Sequence, residues 1–496
     1  MGSLKGLSAA FSAAGAILRW PSLRRRSFVH GGLLAAISSK QFSSTIAKPW
    51  WPRPPVSQTT PEPEILPDDT LVDEERIPGY RPKPYYPANP GDVLEDKYQL
   101  DAKIGWGSSS TVWLAHDIHS GRWLTPKRYV AIKICNCDTT TEEDMRYELD
   151  MNVRLSSANP EHRGGLVLGT AIEGYSIESP RGDTHLALVF NPLREPLWLF
   201  RRRIEHQDRI TRDSLHLIKV YLRILLEGLD YMHSQAHVIH TDLKLDNIMV
   251  TIEDQSTIDA FIEGQATHPM ARKRVDDRTV YRCHNDFGPV HKNLGKMIPQ
   301  ITDFGLAQRG DKDEPLIHPI QPDEFRAPEV LLGIGWSYSA DMWNFGTMIW
   351  ELLAGKSLFH QPRTQPYSPV QHLADMIALI GDVPPSLVER ERNMRHWRFS
   401  PAAVNPEGRL SRNALEFYGG PFFTDDGAFI RDDLIPRTRK LETEVPECIH
   451  EVGETDAFIS FVRRMLRWVP EERATAEELL DDPWLGPKIP NYPRKH

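Results

Sequence analysis

The sequence predicts an α+β chain of two lobes, a small mainly β N-terminal lobe followed by a larger α-helical C-terminal lobe. Three observations predict it. Short runs rich in β-branched and aromatic residues, broken by turns, fill residues 98–135 and return at 186–190. After Pro192 the apolar residues recur at helical spacing instead. Where the pattern has changed, one polar loop within Val238–Met249 carries Asp242, Lys244 and Asn247 between apolar runs. Strands, then helices, with that loop between them, imply two lobes and a cleft.

In chain order, residues 1–48 form a basic segment, and from Met1 to Pro61 there is no Asp or Glu. Arg19, Arg24, Arg25, Arg26, Lys40 and Lys48 are spread there through Ser, Ala and Leu, the composition of a mitochondrial presequence. A basic tail that targets nothing accounts for it equally well. Residues 49–97 are rich in proline and read as an extended linker, with order starting near Asp96. Strands are expected at Tyr98–Ile104, Thr111–Ala115 and Tyr129–Cys135. Thr140-Thr-Glu-Glu143 has the pattern of a capping box and opens a helix through Leu155. Leu186–Phe190 is a fully apolar strand. Leu215–His233 and Ser339–Leu353 read as helices. Residues 252–298 are a polar insertion far longer than a hairpin loop of about 2–5 residues.

Bulk properties narrow the function. The chain has 496 residues, 40% hydrophobic and 26% charged, enough for a sizeable core. A net charge of -9 argues against general nucleic-acid binding and is compatible with basic substrates. Four irregularly spaced cysteines argue against a secreted disulfide framework, and Cys135 and Cys137 read as reduced strand residues, with no paired Cys/His set for a metal. No apolar run approaches the ~18 residues of a membrane span.

The motifs carry more. In Ile104-Gly-Trp-Gly-Ser-Ser-Ser-Thr-Val-Trp113 the third position of a G-x-G-x-x-G pattern is Ser110. Alone this is a hairpin turn. A dinucleotide fold would open a helix there, whereas Thr111-Val-Trp-Leu114 is a strand, and a glycine turn between strands lets backbone amides approach phosphate oxygen. Lys133 sits in apolar Val130-Ala-Ile-Lys-Ile134. Either its head reaches solvent, or it meets an acid of the next helix: Glu142, Glu143 or Glu148. Glu148 is preferred, being on the face with Asn152 and Leu155. Asp303-Phe304-Gly305 follows a strand-like Ile298–Thr302. Ala327-Pro-Glu329 and the distant Arg473 suit an ion pair. Asp341 is either a helix N-terminal charge or a buried acceptor for loop amides.

With these motifs in this order, residues from about Tyr86 to Leu485 resemble a eukaryotic protein kinase, and more narrowly the SR-protein kinases. Gly105-Trp-Gly107, His240-Thr-Asp242, the insertion before Asp303, Phe325-Arg-Ala-Pro-Glu329 and His372–Pro384 carry the narrower likeness. The resemblance implies a bilobal protein-kinase fold over 98–486, with an N-lobe at 98–190 and a C-lobe at 194–486. It implies Ser/Thr phosphorylation with ATP and Mg²⁺. Asp242 and Lys244 would be catalytic, and Asn247 and Asp303 would hold the metal. Ile104, Gly105, Trp106, Gly107, Val112, Ala131, Lys133, Glu148, Asn191 and Leu193 would bind the nucleotide. Protein substrates, including Arg/Ser-rich splicing factors, a role in mRNA processing, a monomer, and residence in cytoplasm and nucleus follow from the family. Mitochondrial targeting by residues 1–48 stands as the alternative location. The rival function is a pseudokinase scaffold that binds partners without turnover; it predicts a lost lysine or metal ligand, and both are kept.

Two departures from the family bear on regulation and substrate geometry. Pro322 stands where the family has Thr, five residues before Ala327. Residues 306–324 contain no Ser, Thr or Tyr to phosphorylate, and Thr241 replaces the Arg that would receive such a phosphate. Asp311, Asp313 and Glu314 supply fixed charge, so the enzyme is expected to be active as synthesised.

Overall fold

A computed structural model describes residues 61–121, 126–138, 141–204, 210–290, 294–312, 314–362 and 364–486. The presequence reading of residues 1–48 and the charge of Asp313 therefore lie outside the described residues. The chain divides into two units. The first takes residues up to 153 with 170–194 and 251–297; the second takes 154–169, 195–250 and everything from 298.

The first unit is built on a six-stranded antiparallel sheet. Its strands, in spatial order, are Val93–Leu94, Tyr98–Trp106, Ser110–Asp117, Tyr129–Cys135, Thr184–Phe190 and Glu173–Glu178. The apolar alternation of these segments buries Leu100, Leu114, Val130, Ile132, Ala187 and Val189 in one core. The helix Glu142–Ser157 starts one residue later than the sequence pattern indicated: Thr141 Oγ1 accepts from Asp144 N at 3.1 Å and Asp144 receives Thr141 N at 3.0 Å.

The expectation of an extended linker up to residue 97 is corrected for residues 61–97. Ile65 bridges Arg272, and Leu66 and Val72 share a core with Ala271 and Val280. A helical turn at Asp73–Arg76 buries Glu74 completely. Glu74 pairs with Arg278 at 2.6 Å and with Lys103, whose ammonium also meets Asp73 at 3.0 Å. Burial alone would raise the Glu74 carboxyl; Lys103 and Arg278 outweigh it and hold it below the usual range. Proline-rich composition signalled an extended path, but not the buried cations it would meet. Those cations include Arg278, from the insertion. Residues 252–298 are also folded, as a helix Gln255–Thr267 and a hairpin of Arg272–Val275 with Arg278–Tyr281. Tyr281 sets its ring edge-on against Trp113 of the sheet at 5.7 Å. The insertion is thus part of the first unit's core.

The second unit is helical. Arg212–Asp230 is capped by Thr211 and buries Leu215, Leu222, Leu225 and Leu229 on one stripe. Ser339–Ala354 is buried over nearly its whole length, as its almost continuous apolar run requires. Glu329 and Arg473, both buried, make two parallel 2.6 Å bonds, a bidentate pair that leaves neither charge uncompensated.

Candidate active site

In the first unit, antiparallel register brings the glycine turn, its following strand and the lysine strand into line. Gly105 stands opposite Val112, and Val112 opposite Lys133. A Cβ on Gly105 would lie 3.2 Å from Val112 Cβ, so a side chain here would force the turn to move. Ile104 and Gly107 are half-buried, while Trp106 is 41% exposed at the turn. Ala131 is buried and faces Phe190 across the ladder. Beyond Phe190, Asn191 is exposed and Leu193 half-buried. Of the three candidate acids, Glu148 meets the lysine, with Lys133 Nζ 2.9 Å from Glu148 Oε1. Glu148 is itself largely buried, as a partner for a shielded ammonium must be.

In the second unit, two short ladders assemble the loop residues. Pro299–Ile301 runs antiparallel to Ile248–Val250, with Ile301 opposite Ile248. This puts Asn247 and Asp303 at the same end of that ladder. Gln308 pairs with Ile239, closing the other side. Thr302 donates to Asn247 O through both its amide (2.9 Å) and its hydroxyl (3.0 Å). Asp341, fully buried, accepts from the amides of His240 (2.7 Å) and Thr241 (2.9 Å) and from His233 Nε2 (2.9 Å). It is therefore the buried acceptor of the loop, not merely a charge in a helix's first turn.

That scaffold fixes Asp242. Lys244 Nζ lies 2.7 Å from Asp242 Oδ2, and Asn247 Nδ2 donates to the same oxygen at 3.0 Å and to Asp242 O at 2.9 Å. With its NH₂ so committed, Asn247 Oδ1 is left without a partner among the described residues. Asp303 adopts a left-handed φ of 64° and Thr241 one of 68°, unusual for residues with side chains. Thr241 is held there by its hydroxyl bond to Leu306 O at 2.8 Å.

Sequence reasoning missed an acidic group in this unit. Glu351, ten residues after Asp341 on the same helix, has its carboxyl pushed up to about 7 by burial and by the negative charges of Asp246 and Glu324. No cation among the described residues pairs with it. Nothing local in the sequence marks Glu351, because its acidic neighbours come from a loop and from the segment before Ala327. A second missed contact involves Asp311, which bridges Arg154 at 2.7 Å and Arg309 at 2.9 Å.

The chain matches the family described as "Protein kinase domain" over residues 98–485. It belongs to the protein kinase family. A serine/threonine protein kinase of Aspergillus fumigatus is 32% identical over 88% of this chain and 95% of its own length. The serine/threonine-protein kinase SRPK of Physarum polycephalum is 26% identical over 84% of this chain and 92% of its own. A solved kinase domain covers 81% of this chain and 99% of its own, at 20% identity and a TM-score of 0.54. The kinase is thus a serine/threonine protein kinase with the bilobal fold, a mainly β first lobe and a helical second lobe, and it resembles the SRPK-like group. As a protein kinase it uses ATP and a divalent metal and acts on protein. Among the described residues no helix is long and apolar enough to cross a membrane.

Proposed function

We propose that this kinase phosphorylates Ser or Thr in basic, Arg/Ser-rich proteins, acting as a monomer with Mg²⁺ and serving mRNA processing. The observation that carries the substrate class is the acidic group of Asp246, Glu324 and Glu351 in the unit that holds Asp242. A half-buried carboxyl raised to about 7 by partial burial and then by neighbouring negative charge is stabilised when a cation approaches, and an arginine of the substrate supplies one. The SRPK of Physarum polycephalum supports the same reading by likeness.

The residues fit the cosubstrate and metal. Gly105 leaves room for a close approach to the glycine turn, and Lys133 is an ammonium held in place by Glu148. Asn247 Oδ1 and the Asp303 carboxylate offer hard oxygens, too few to enclose an ion, which suits Mg²⁺ completed by phosphate and water. ATP with Mg²⁺ supplies the transferable phosphoryl group and neutralises its charge. The protein's own contribution is placement. Gly105, Gly107 and Lys133 position phosphates, with Ile104, Trp106, Val112 and Ala131 about the base and Asn191 and Leu193 offering it backbone groups. Asp242, oriented by Asn247 and Lys244, accepts the proton of the attacking hydroxyl. Lys244 also steadies the transferring group. Pro322 stands at the N-cap position of the helical turn Asp323–Phe325 and has no hydroxyl to offer Asp242 and Lys244, which pair directly at 2.7 Å.

An arranged peptide library tests the substrate class. Ser peptides flanked by Arg are expected to be the best acceptors. Equal or better turnover of acidic or neutral peptides would reject it.

A further inference from the structure

Residues 80–88 lie beside the glycine turn in the first unit, and Tyr85 touches it directly. Its hydroxyl donates to the carbonyl oxygens of Gly107 at 3.0 Å and Ser108 at 3.2 Å. A peptide unit is planar and trans, so its N–H points opposite to its C=O. Holding those two oxygens toward Tyr85 therefore turns the N–H groups of Ser108 and Ser109 away from it. Neither N–H has a partner among the described residues, whereas Gly107 N bonds Ser110 O at 2.9 Å. Two adjacent free amide donors with a common direction are an anion site, and a glycine turn left to itself would not hold them so.

Tyr85 is itself immobilised. It is 4% exposed, packs its ring 5.4 Å from that of Tyr80 at a tilt of 44°, and lies 4.8 Å beneath the Arg278 guanidinium. Arg278, from the insertion hairpin, is fixed in turn by Glu74 at 2.6 Å and the Tyr80 hydroxyl at 2.9 Å. Neighbouring backbone contacts hold the segment as well: Cys137 N bonds Pro84 O at 3.1 Å, and Arg181 bonds Lys83 O at 2.9 Å. Asn136 adds a second bond to Ser108 O at 3.1 Å.

We infer that Tyr85 is a positioning residue for catalysis, aiming the Ser108 and Ser109 amides at the phosphates of ATP, with the insertion acting on the turn through Arg278. The inference rests on the reading of Gly105–Ser110 as the nucleotide lid. Tyr85→Phe removes only the hydroxyl and keeps the ring contacts. The expected result is a KM for ATP about 3- to 10-fold higher, the effect of one lost hydrogen bond group. Affinity for adenosine, which has no phosphate, and the melting temperature should stay unchanged. An unchanged KM for ATP, or an equal loss for adenosine and ATP, would overturn the inference. Gly105→Val separates the two ideas. If it raises the KM for ATP while Tyr85→Phe does not, the lid stands and the role of Tyr85 falls; if Gly105→Val has no effect, the lid reading falls and takes Tyr85 with it.

Discussion

At Asp303 one carboxylate oxygen separates catalysis from binding. Asp303→Asn removes the charge proposed for the metal and should lower turnover by two orders of magnitude or more, on the order of losing a main electrostatic contact. Nucleotide binding should persist in weakened form, measured by fluorescence of a bound analogue. Lys133→Met should instead leave Glu148 without its 2.9 Å partner and disturb productive phosphate placement. Wild-type turnover in either variant would contradict the assignment. Glu351 gives a pH test with a definite sign. Its carboxyl is raised to about 7, so it is neutral below that pH and negative above it. The KM for an Arg-flanked peptide should therefore rise as pH falls from 8 to 6, while the KM for a neutral peptide stays level. Glu351→Gln should raise the former about 10-fold at pH 8 and flatten its pH profile. Single residues with a fixed neighbourhood were legible in sequence: the Asp242, Lys244 and Asn247 spacing sits within one short loop. Glu351 and Tyr85 were not, because each meets its partners only after distant segments fold together.

Two elements replace what sequence motifs usually supply. The segment after Asp303 has no hydroxyl residue up to Phe325, yet it is ordered by contacts of its own. Asp311 carries the charge; its bonds to Arg309 and then Arg154 hold its carboxyl far below the usual range, so it stays ionised at all physiological pH. Further along, Trp336 Nε1 bonds His318 O at 2.9 Å, and Gln321 bonds Ala327 N at 2.7 Å and Ala340 O at 3.0 Å. Asp311→Asn should lower turnover by up to about 5-fold, the scale of a half-exposed ion pair. Measuring initial rates with both charges intact and removed decides this; an unchanged rate would assign the ordering to the other contacts. The N-terminal segment is the second element. A chain starting at residue 61 serves as the reference. Starting at 77 leaves Lys103 buried without Asp73 and Glu74, at a cost of about 3–5 kcal/mol. Equal melting temperatures would contradict a structural role. The strand pattern announced its sheet because alternation reports burial directly. The folded state of residues 61–97 was hidden, since its burial depends on charged partners more than 150 residues away, such as Arg278.

For the whole molecule, order of elements was enough to place the fold class, because strands, loop and helices follow one another along the chain; that each unit draws on three separate stretches of chain was not legible from that order. Location is a separate matter carried by residues 1–61, acid-free and arginine-dotted. We propose cytoplasm and nucleus, with mitochondria as the alternative. Fusing residues 1–61 to a fluorescent reporter distinguishes them: mitochondrial signal with a shortened N-terminus supports import, and a diffuse or nuclear uncleaved reporter rejects it. We propose that this Ser/Thr kinase turns over without an activating phosphate. The direct measurement is γ-phosphate transfer to an Arg-flanked Ser peptide by protein made in bacteria, before and after phosphatase treatment, beside Asp242→Asn. Full turnover is expected in both wild-type samples and almost none in the variant. ATP binding without transfer, or transfer that vanishes on phosphatase treatment, would contradict it.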